Sequence, residues 1–187
     1  PLVPLSALSI AGRHNALNAM AALALGAAAG GDMPRMIAAL KRFRGLPHRV
    51  EPIARRADGV VFYDDSKGTN VGSTVAALAG LGRPVVLIAG GDGKGQDFAP
   101  LADAVAEHAR ATVLIGRDAP LIAEALADAA PIVQAGDSLE RAVSESALRA
   151  QPGDAVLLSP ACASFDMFAD YVQRAEAFRA AVQGLAA

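Results

Sequence analysis

Six short apolar runs recur beyond residue 49: Val50–Ala54, Val60–Tyr63, Val85–Ala89, Thr112–Ile115, Ile132–Gln134 and Ala155–Ser159. Amphipathic stretches fill most of the intervals, at about 71–82, 98–109, 119–128, 138–150 and 167–183. Runs this short, rich in β-branched residues and bounded by Gly, Pro and Asp, read as strands. The longer stretches, apolar at i, i+3 and i+4, read as helices. A helix between successive strands acts as a crossover, and crossovers leave the strands side by side and parallel. The alternation therefore predicts an α/β fold: a Rossmann-like, mostly parallel, doubly wound sheet flanked by helices.

The first 45 residues follow a different rhythm. Residues from about 14 to 29 read as a helix, with a Leu17, Met20, Ala21, Ala24 stripe and Gly30–Gly31 at its end. A second helix is expected from Asp32, a good N-cap, with Pro34 in the first turn and Met33, Met36, Ile37 and Leu40 as its apolar face. "GLPH" after the basic "KRFR" reads as a linker, because Pro47 biases Leu46 toward extended backbone. This places a domain boundary near residue 46, dividing 1–45 from 46–187. The chain opens at Pro1 without a Met and in mid-pattern, as expected of a fragment or a processed product.

Composition narrows the function classes. A chain of 187 residues, 53% hydrophobic and 19% charged, supports one well-packed domain with a smaller appendage. The net charge of −2 with interspersed signs offers no basic stripe for nucleic acid. The Ala-rich segment "ALNAMAALALGAAAGG" is bounded by glycines and has no basic region before it, so no membrane partner is expected. The single cysteine, Cys162, excludes an intramolecular disulfide framework and suits a reducing, cytoplasmic location.

In open α/β sheets ligands bind where strand-to-helix loops gather, at the carboxyl ends of the strands. Two such loops are plain, "GRDAP" after Ile115 and "AGDSLE" after Gln134, where Asp137 and Glu140 suggest a capping box. Three are rich in polar chemistry: "DDSKGTN" (64–70), "GGDGKGQD" (90–97) and "SPACASFD" (159–166). "GGDGKG" is not a phosphate loop, because Ile88 and Gly95 stand where G-x-x-x-x-G-K-[ST] needs Gly and Ser or Thr. It leaves Lys94 as a movable cation for an anion. Ser164 is expected to N-cap the last helix, whose free N–H groups would suit a carboxylate or phosphate. Cys162, beside an apolar strand and with no nearby His, reads as buried packing. In "DDSKGTN", capping by Asn70 or Thr69 leaves Asp64, Asp65 and Lys67 unexplained. Asn15 and Asn18 share one helix face, and His48 with Arg49 follows the linker. His14, His48 and His108 show no zinc-ligand spacing.

Taken in order, "GRHNALNAMAALALG", "FRGLPHRVE", "DDSKGTNVGSTVAAL", "IAGGDGKGQDFAPL" and "LSPACASFDMFADYVQRAEAF" resemble the C-terminal part of the Mur ligases. The likeness is to those members that add D-glutamate to UDP-N-acetylmuramoyl-L-alanine in peptidoglycan synthesis. It implies that 1–45 are the last helices of a central ATP-binding domain and 46–187 the amino-acid-binding domain. It implies an ATP-dependent amide-forming ligase working through an acyl phosphate, with Mg2+ ligands and phosphate loop upstream of this chain. By itself the chain is then expected to be inactive. A monomer is expected, with D-glutamate, the UDP-muramoyl substrate and the missing upstream domains as partners.

Carried over position by position, the resemblance puts Asn15, Asn18, Arg49, Asp65 and Lys67 on ATP, with Arg49 and Lys67 at the phosphates. Lys67, Arg49 and, with a less defined role, His48 would serve catalysis. Thr69, Lys94, Ser164, the Phe165 backbone and Tyr171 would surround D-glutamate. Gly68 departs from an expected Ala, Phe165 from Leu and Tyr171 from Phe. An alternative from another class is a non-catalytic module binding an acidic amino acid or nucleotide. A nicotinamide dehydrogenase is excluded, since no strand is followed by G-x-G-x-x-G.

Overall fold

The computed structural model describes residues 2–10 and 13–185, in two compact units, Pro1–Pro47 and His48–Ala187. Pro1 and Gly12, which opens the first of the motifs above, lie outside the described residues. The first unit holds α1 (Arg13–Ala28) and α2 (Met33–Arg42). Asp32 caps α2 as expected, its Oδ2 accepting the Arg35 N–H at 2.9 Å. On α1 the buried residues are Ala16, Ala19 and Leu23, whereas Leu17 and Met20 are exposed. The stripe read from sequence was thus the wrong one. Ala, Leu and Met surround this helix on all sides, so periodicity alone cannot choose among its apolar faces.

The second unit is built on a sheet of six strands. They are β1 (Glu51–Arg55), β2 (Val61–Asp64), β3 (Val85–Gly90), β4 (Ala109–Ile115), β5 (Ile132–Gly136) and β6 (Ala155–Leu158), in the order β1-β2-β6-β3-β4-β5. Every neighbouring pair is parallel except β1 with β2. β1 is an edge strand carrying Pro52 beside a register shift, the setting in which a residue without an N–H is tolerated. The helices are α3 (Val71–Leu81), α4 (Ala99–His108), α5 (Ala119–Ala125), α6 (Leu139–Arg149) and α7 (Tyr171–Gly184).

Although β3 reads as an unbroken apolar run, its side chains alternate between two cores. Val85, Leu87 and Ala89 join Leu78, Leu101, Val105 and Ile122 of α3, α4 and α5. Val86 and Ile88 join Ala142, Val143, Phe178 and Val182 of α6 and α7. Each fully buried Val, Leu, Ile or Phe contributes roughly 1.5–3 kcal/mol, and both faces of the central strands are dry. That is why these strands are apolar at every position.

Two boundaries differ from expectation. Ser138, not Asp137, caps α6: its Oγ accepts the Arg141 N–H at 3.1 Å, and Glu140 Oε2 accepts from that hydroxyl. The last helix begins at Tyr171, well after Ser164. Asp170 is its cap, accepting the Gln173 N–H at 2.8 Å, while Gln173 Oε1 accepts the Ala169 N–H at 2.7 Å. The pair resembles a capping box, with the return bond made to the residue before the cap, and it is legible in "DYVQ". Met167 and Phe168 donate back to the Ser164 carbonyl, so residues 164–168 form a turn instead of a helix start.

Arg174, on the inner face of α7, is 1% exposed. Its guanidinium donates to Ser66 Oγ (3.1 Å), to the Ser66 carbonyl (2.9 Å) and, through two nitrogens, to the Cys162 carbonyl (3.2 Å each). Burial lowers its pKa to about 10, so the cation persists at neutral pH. It binds the loop after β2 to the loop after β6 from beneath. We expect Arg174→Met to lower the unfolding free energy by about 3 kcal/mol, as buried carbonyls lose charged donors. Arg174→Lys should recover little, because an ammonium cannot reproduce the planar fork. Urea denaturation checks both.

Candidate functional site at the carboxyl edge of the sheet

Inserting β6 between β2 and β3 brings the three polar loops together. Asp65 N donates to the Leu158 carbonyl and Gly90 N to the Pro160 carbonyl, both at 2.8 Å. Asp92 and Ala163 exchange a pair of backbone bonds at 3.0 and 2.8 Å. Gln96 reaches across them, its Oε1 accepting the Val71 N–H (3.0 Å) and its Nε2 donating to the Ala161 carbonyl (2.8 Å). Gly91 has φ +125°, and a Cβ there would meet the Ala163 carbonyl oxygen at 2.3 Å, so only glycine permits this approach.

Lys67 and Lys94 are exposed on this edge, Thr69 is half-buried, and Ser164 is 3% exposed. The Lys94 ammonium donates to the Thr69 carbonyl at 3.1 Å, joining two loops through one cation. Lys94 itself has φ +54°, and its N–H donates to Asp92 Oδ1 at 2.9 Å. The Lys67 ammonium stands 3.9 Å from the centre of the Tyr171 ring, a cation–π seat, and His48 meets the same ring edge-on at 5.9 Å. The Phe165 side chain is largely exposed. Because Ser164 does not open a helix, no helix dipole stands behind it.

His48 and Val50 both have positive φ, +60° and +49°, which for a β-branched residue is a strained conformation. The strained turn between them carries the exposed Arg49 and is pinned from several sides. Lys67 N donates to the His48 carbonyl (3.1 Å), Val50 N to Asp65 Oδ1 (3.2 Å) and His48 N to Glu51 Oε2 (3.1 Å). His48 Nδ1 lies 2.8 Å from the fully buried Asp64 Oδ2. Arg179 completes the group, Nη2 standing 2.6 Å from Glu51 Oε2 and 3.2 Å from Asp64 Oδ2. Among the described residues, His48, Glu51 and Asp64 are the one set with metal-ligand spacing, and Arg179 already pairs with both carboxylates. This charge balance suits a structural ion network and not a divalent cation.

Asp65 faces inward. It is 6% exposed, and its second oxygen accepts from Ser159 Oγ at 2.6 Å, which stands 3.0 Å from Thr74 Oγ1. Gly68 closes over it, where a Cβ would lie 2.5 Å from Asp65 Oδ2. Cys162, expected as buried packing, is fully buried, and desolvation pushes its thiol up to about 12.

Sequence reading missed several of these groups. "GRDAP" is not a plain loop: Arg117, Asp118 and Asp166 tie it to the edge through bonds of 2.5 Å (Arg117 Nη2 to Asp92 Oδ1), 2.7 Å (Gly93 N to Asp118 Oδ2) and 2.9 Å (Arg117 N to Asp166 Oδ2). Ser159, Gln96 and Arg174 gave no local signal, since their partners lie on other loops. Asn15 and Asn18 belong to the first unit, where Asn15 is half-buried and Asn18 exposed on α1. A cavity of about 520 Å³ lined by Phe62, Ala147, Leu148, Val182 and Leu185 lies toward the amino ends of the strands, away from this chemistry.

Burial is the largest influence on Asp65 and raises its pKa to about 6, against the lowering effect of the Ser159 and Val50 donors. An unfolded aspartate titrates near pH 4, so between about pH 4 and 6 the folded state holds more protons. The stability contributed by this group therefore falls as pH rises through that window. Asp65→Asn removes the fall. The difference in unfolding free energy between variant and wild type should shift by about 3 kcal/mol toward the variant across it, as read by urea denaturation at a series of pH values.

The family model described as Mur ligase, glutamate ligase domain matches residues 48–162. A UDP-N-acetylmuramoylalanine–D-glutamate ligase of Aromatoleum aromaticum is 61% identical over 185 residues, covering 98% of this chain and 40% of the relative. One of Ralstonia nicotianae is 62% identical over 186 residues, covering 100% of this chain and 37% of the relative. The chain thus spans about two fifths of the length of the curated relatives it matches. Among solved structures, the UDP-N-acetylmuramate–alanine ligase of Thermotoga maritima superposes with a TM-score of 0.64 at 19% identity, over 95% of this chain and 40% of that one. A folylpolyglutamate synthase of Mycobacterium tuberculosis, complexed with ADP and AMPPCP, gives 0.63 at 17% identity, over 95% and 41%. At such identities these two establish a shared fold. With the family model covering more than half of its length and relatives near 60% identity along nearly all of it, the chain belongs to the Mur ligase family.

Proposed function

We propose that the chain is the C-terminal part of an ATP-dependent ligase that joins D-glutamate to UDP-N-acetylmuramoyl-L-alanine in cytoplasmic peptidoglycan synthesis. The observation that carries this reading is the identity of about 60%, over nearly the whole chain, to ligases named for that reaction. In this reading residues 1–45 close a central ATP-binding domain, and 46–187 form the domain that receives the amino acid. The enzyme works as a monomer.

The proposed chemistry is the conversion of the muramoyl-alanine carboxylate to an acyl phosphate, followed by attack of the D-glutamate amine and release of phosphate. Such a reaction depends on holding several anions together and neutralising their charge. Arg49 and Lys67 are assigned to the phosphates, with Asn15 and Asn18 on the nucleotide. Lys94, Thr69, Ser164 and the Phe165 backbone are assigned to the two carboxylates of D-glutamate. Tyr171 holds Lys67 in place, and His48 backs that ring. Asp65, whose oxygens are taken up by Val50 and Ser159, supports the Arg49 turn from within. ATP supplies the phosphoryl group, and Mg2+ is assigned to ligands upstream of this chain. The His48–Glu51–Asp64 set does not suit Mg2+, because Arg179 engages both carboxylates.

Phosphate release from ATP, D-glutamate and the UDP-muramoyl substrate tests the reading. The full-length protein should turn over, and this chain alone should not, as no G-x-x-x-x-G-K-[ST] occurs in its 187 residues. A full-length protein that ignored D-glutamate would overturn it. In that protein Lys94→Ala should raise the D-glutamate KM by about tenfold or more, the worth of a charge-assisted hydrogen bond, with a far smaller effect on the ATP KM.

A further inference from the structure

The loop after β4 carries none of the residues assigned to a ligand, yet it touches two of the three loops that do. Arg117 Nη2 donates to Asp92 Oδ1 at 2.5 Å, and the same oxygen accepts the Lys94 N–H at 2.9 Å. Asp118 accepts the Gly93 N–H at 2.7 Å, while its own N–H donates to the Gly91 carbonyl at 3.1 Å. The backbone of Lys94 is thus gripped on the residue before it and by the side chain of Asp92. On the other side, the Arg117 N–H donates to Asp166 Oδ2 at 2.9 Å, two residues after Ser164. The bond from Gly93 holds the Asp118 carboxyl below the usual carboxylate range, and Asp118 and Asp92 both raise the pKa of Arg117. The strained φ of Lys94, +54°, is one that a free loop would relax.

We infer that Arg117 is a positioning residue: with Asp118 it sets Lys94 against the Ser164–Asp166 turn, and so fixes the spacing of the groups that receive an acidic amino acid. The inference rests on the proposed D-glutamate site. Its side chain is 60% exposed, so its removal opens no cavity in the core. The effect falls on ligand geometry instead of folding. A displacement of about 1 Å at a binding group can cost up to about a hundredfold.

The test uses the full-length ligase. Arg117→Ala should raise the D-glutamate KM about tenfold or more, with kcat and the ATP KM changed by less than about twofold and an unshifted thermal midpoint. Arg117→Lys, which keeps a cation for Asp92, should recover most of the loss. Asp92→Asn keeps the oxygen that caps Lys94 but weakens the Arg117 bond, and should raise the same KM. Combining it with Arg117→Ala should add little, since both changes remove one interaction. Equal effects on both KM values, additive effects in the double variant, or wild-type kinetics in Arg117→Ala would each overturn the inference. If Arg117→Ala does not fold, the Asp92→Asn and Arg117→Lys kinetics decide it by the same criteria. A wild-type enzyme that does not saturate with D-glutamate would instead overturn the proposed function.

Discussion

The buried guanidinium of Arg174 and the strand beneath it hold the functional edge in place. β6 lies between β2 and β3, so three loops that are far apart in the chain leave the sheet side by side. Parallel strands alone would leave those loops free to splay. Arg174 prevents this by filling the space under two of them with donors for the carbonyls of Ser66 and Cys162. Gln96 performs the matching task on the exposed side, and the Asp92–Ala163 bridge locks the third loop. A buried cation facing neutral carbonyls is costly unless each N–H finds an acceptor, so the interaction favours one arrangement of the edge over alternatives.

Rigidity below allows charge above. Lys67 and Lys94 stand exposed with their positions set by an aromatic face and a backbone carbonyl, neither of which neutralises them. The carboxylates nearby are committed elsewhere: Asp64 to His48 and Arg179, Asp65 to Ser159 and Val50, Asp92 to Arg117. The edge therefore presents exposed cations while its acids are buried or paired. This is the polarity an anionic ligand requires. Strained backbone at His48, Val50, Lys94 and Ala161 falls in the same region, where surrounding bonds hold it.

Much of this was legible in the chain. The central strands were found from short β-branched runs, because parallel strands covered on both faces need apolar residues at every position. Asn70 and Asp32 were readable as caps, since a cap is a local bond between residues a few positions apart. The start of α7 was misplaced because Ser164 was taken for a cap when Asp170, which accepts the Gln173 N–H, lay just beyond it. The buried stripe of α1 was missed because Ala, Leu and Met lie on several faces of this helix.

What the sequence determined by itself was the set of elements, the family and the loops that carry charge, all of which depend on composition and spacing along the chain. The tertiary structure alone decided which polar residues point outward and which serve as props. Asp65 and Lys67 are two positions apart, yet one is buried against Ser159 and the other rests on Tyr171. Arg117, in a loop that looked plain, proves to be tied to two others. These distinctions arise from strand order, because hydrogen bonds between loops join residues that no local pattern relates.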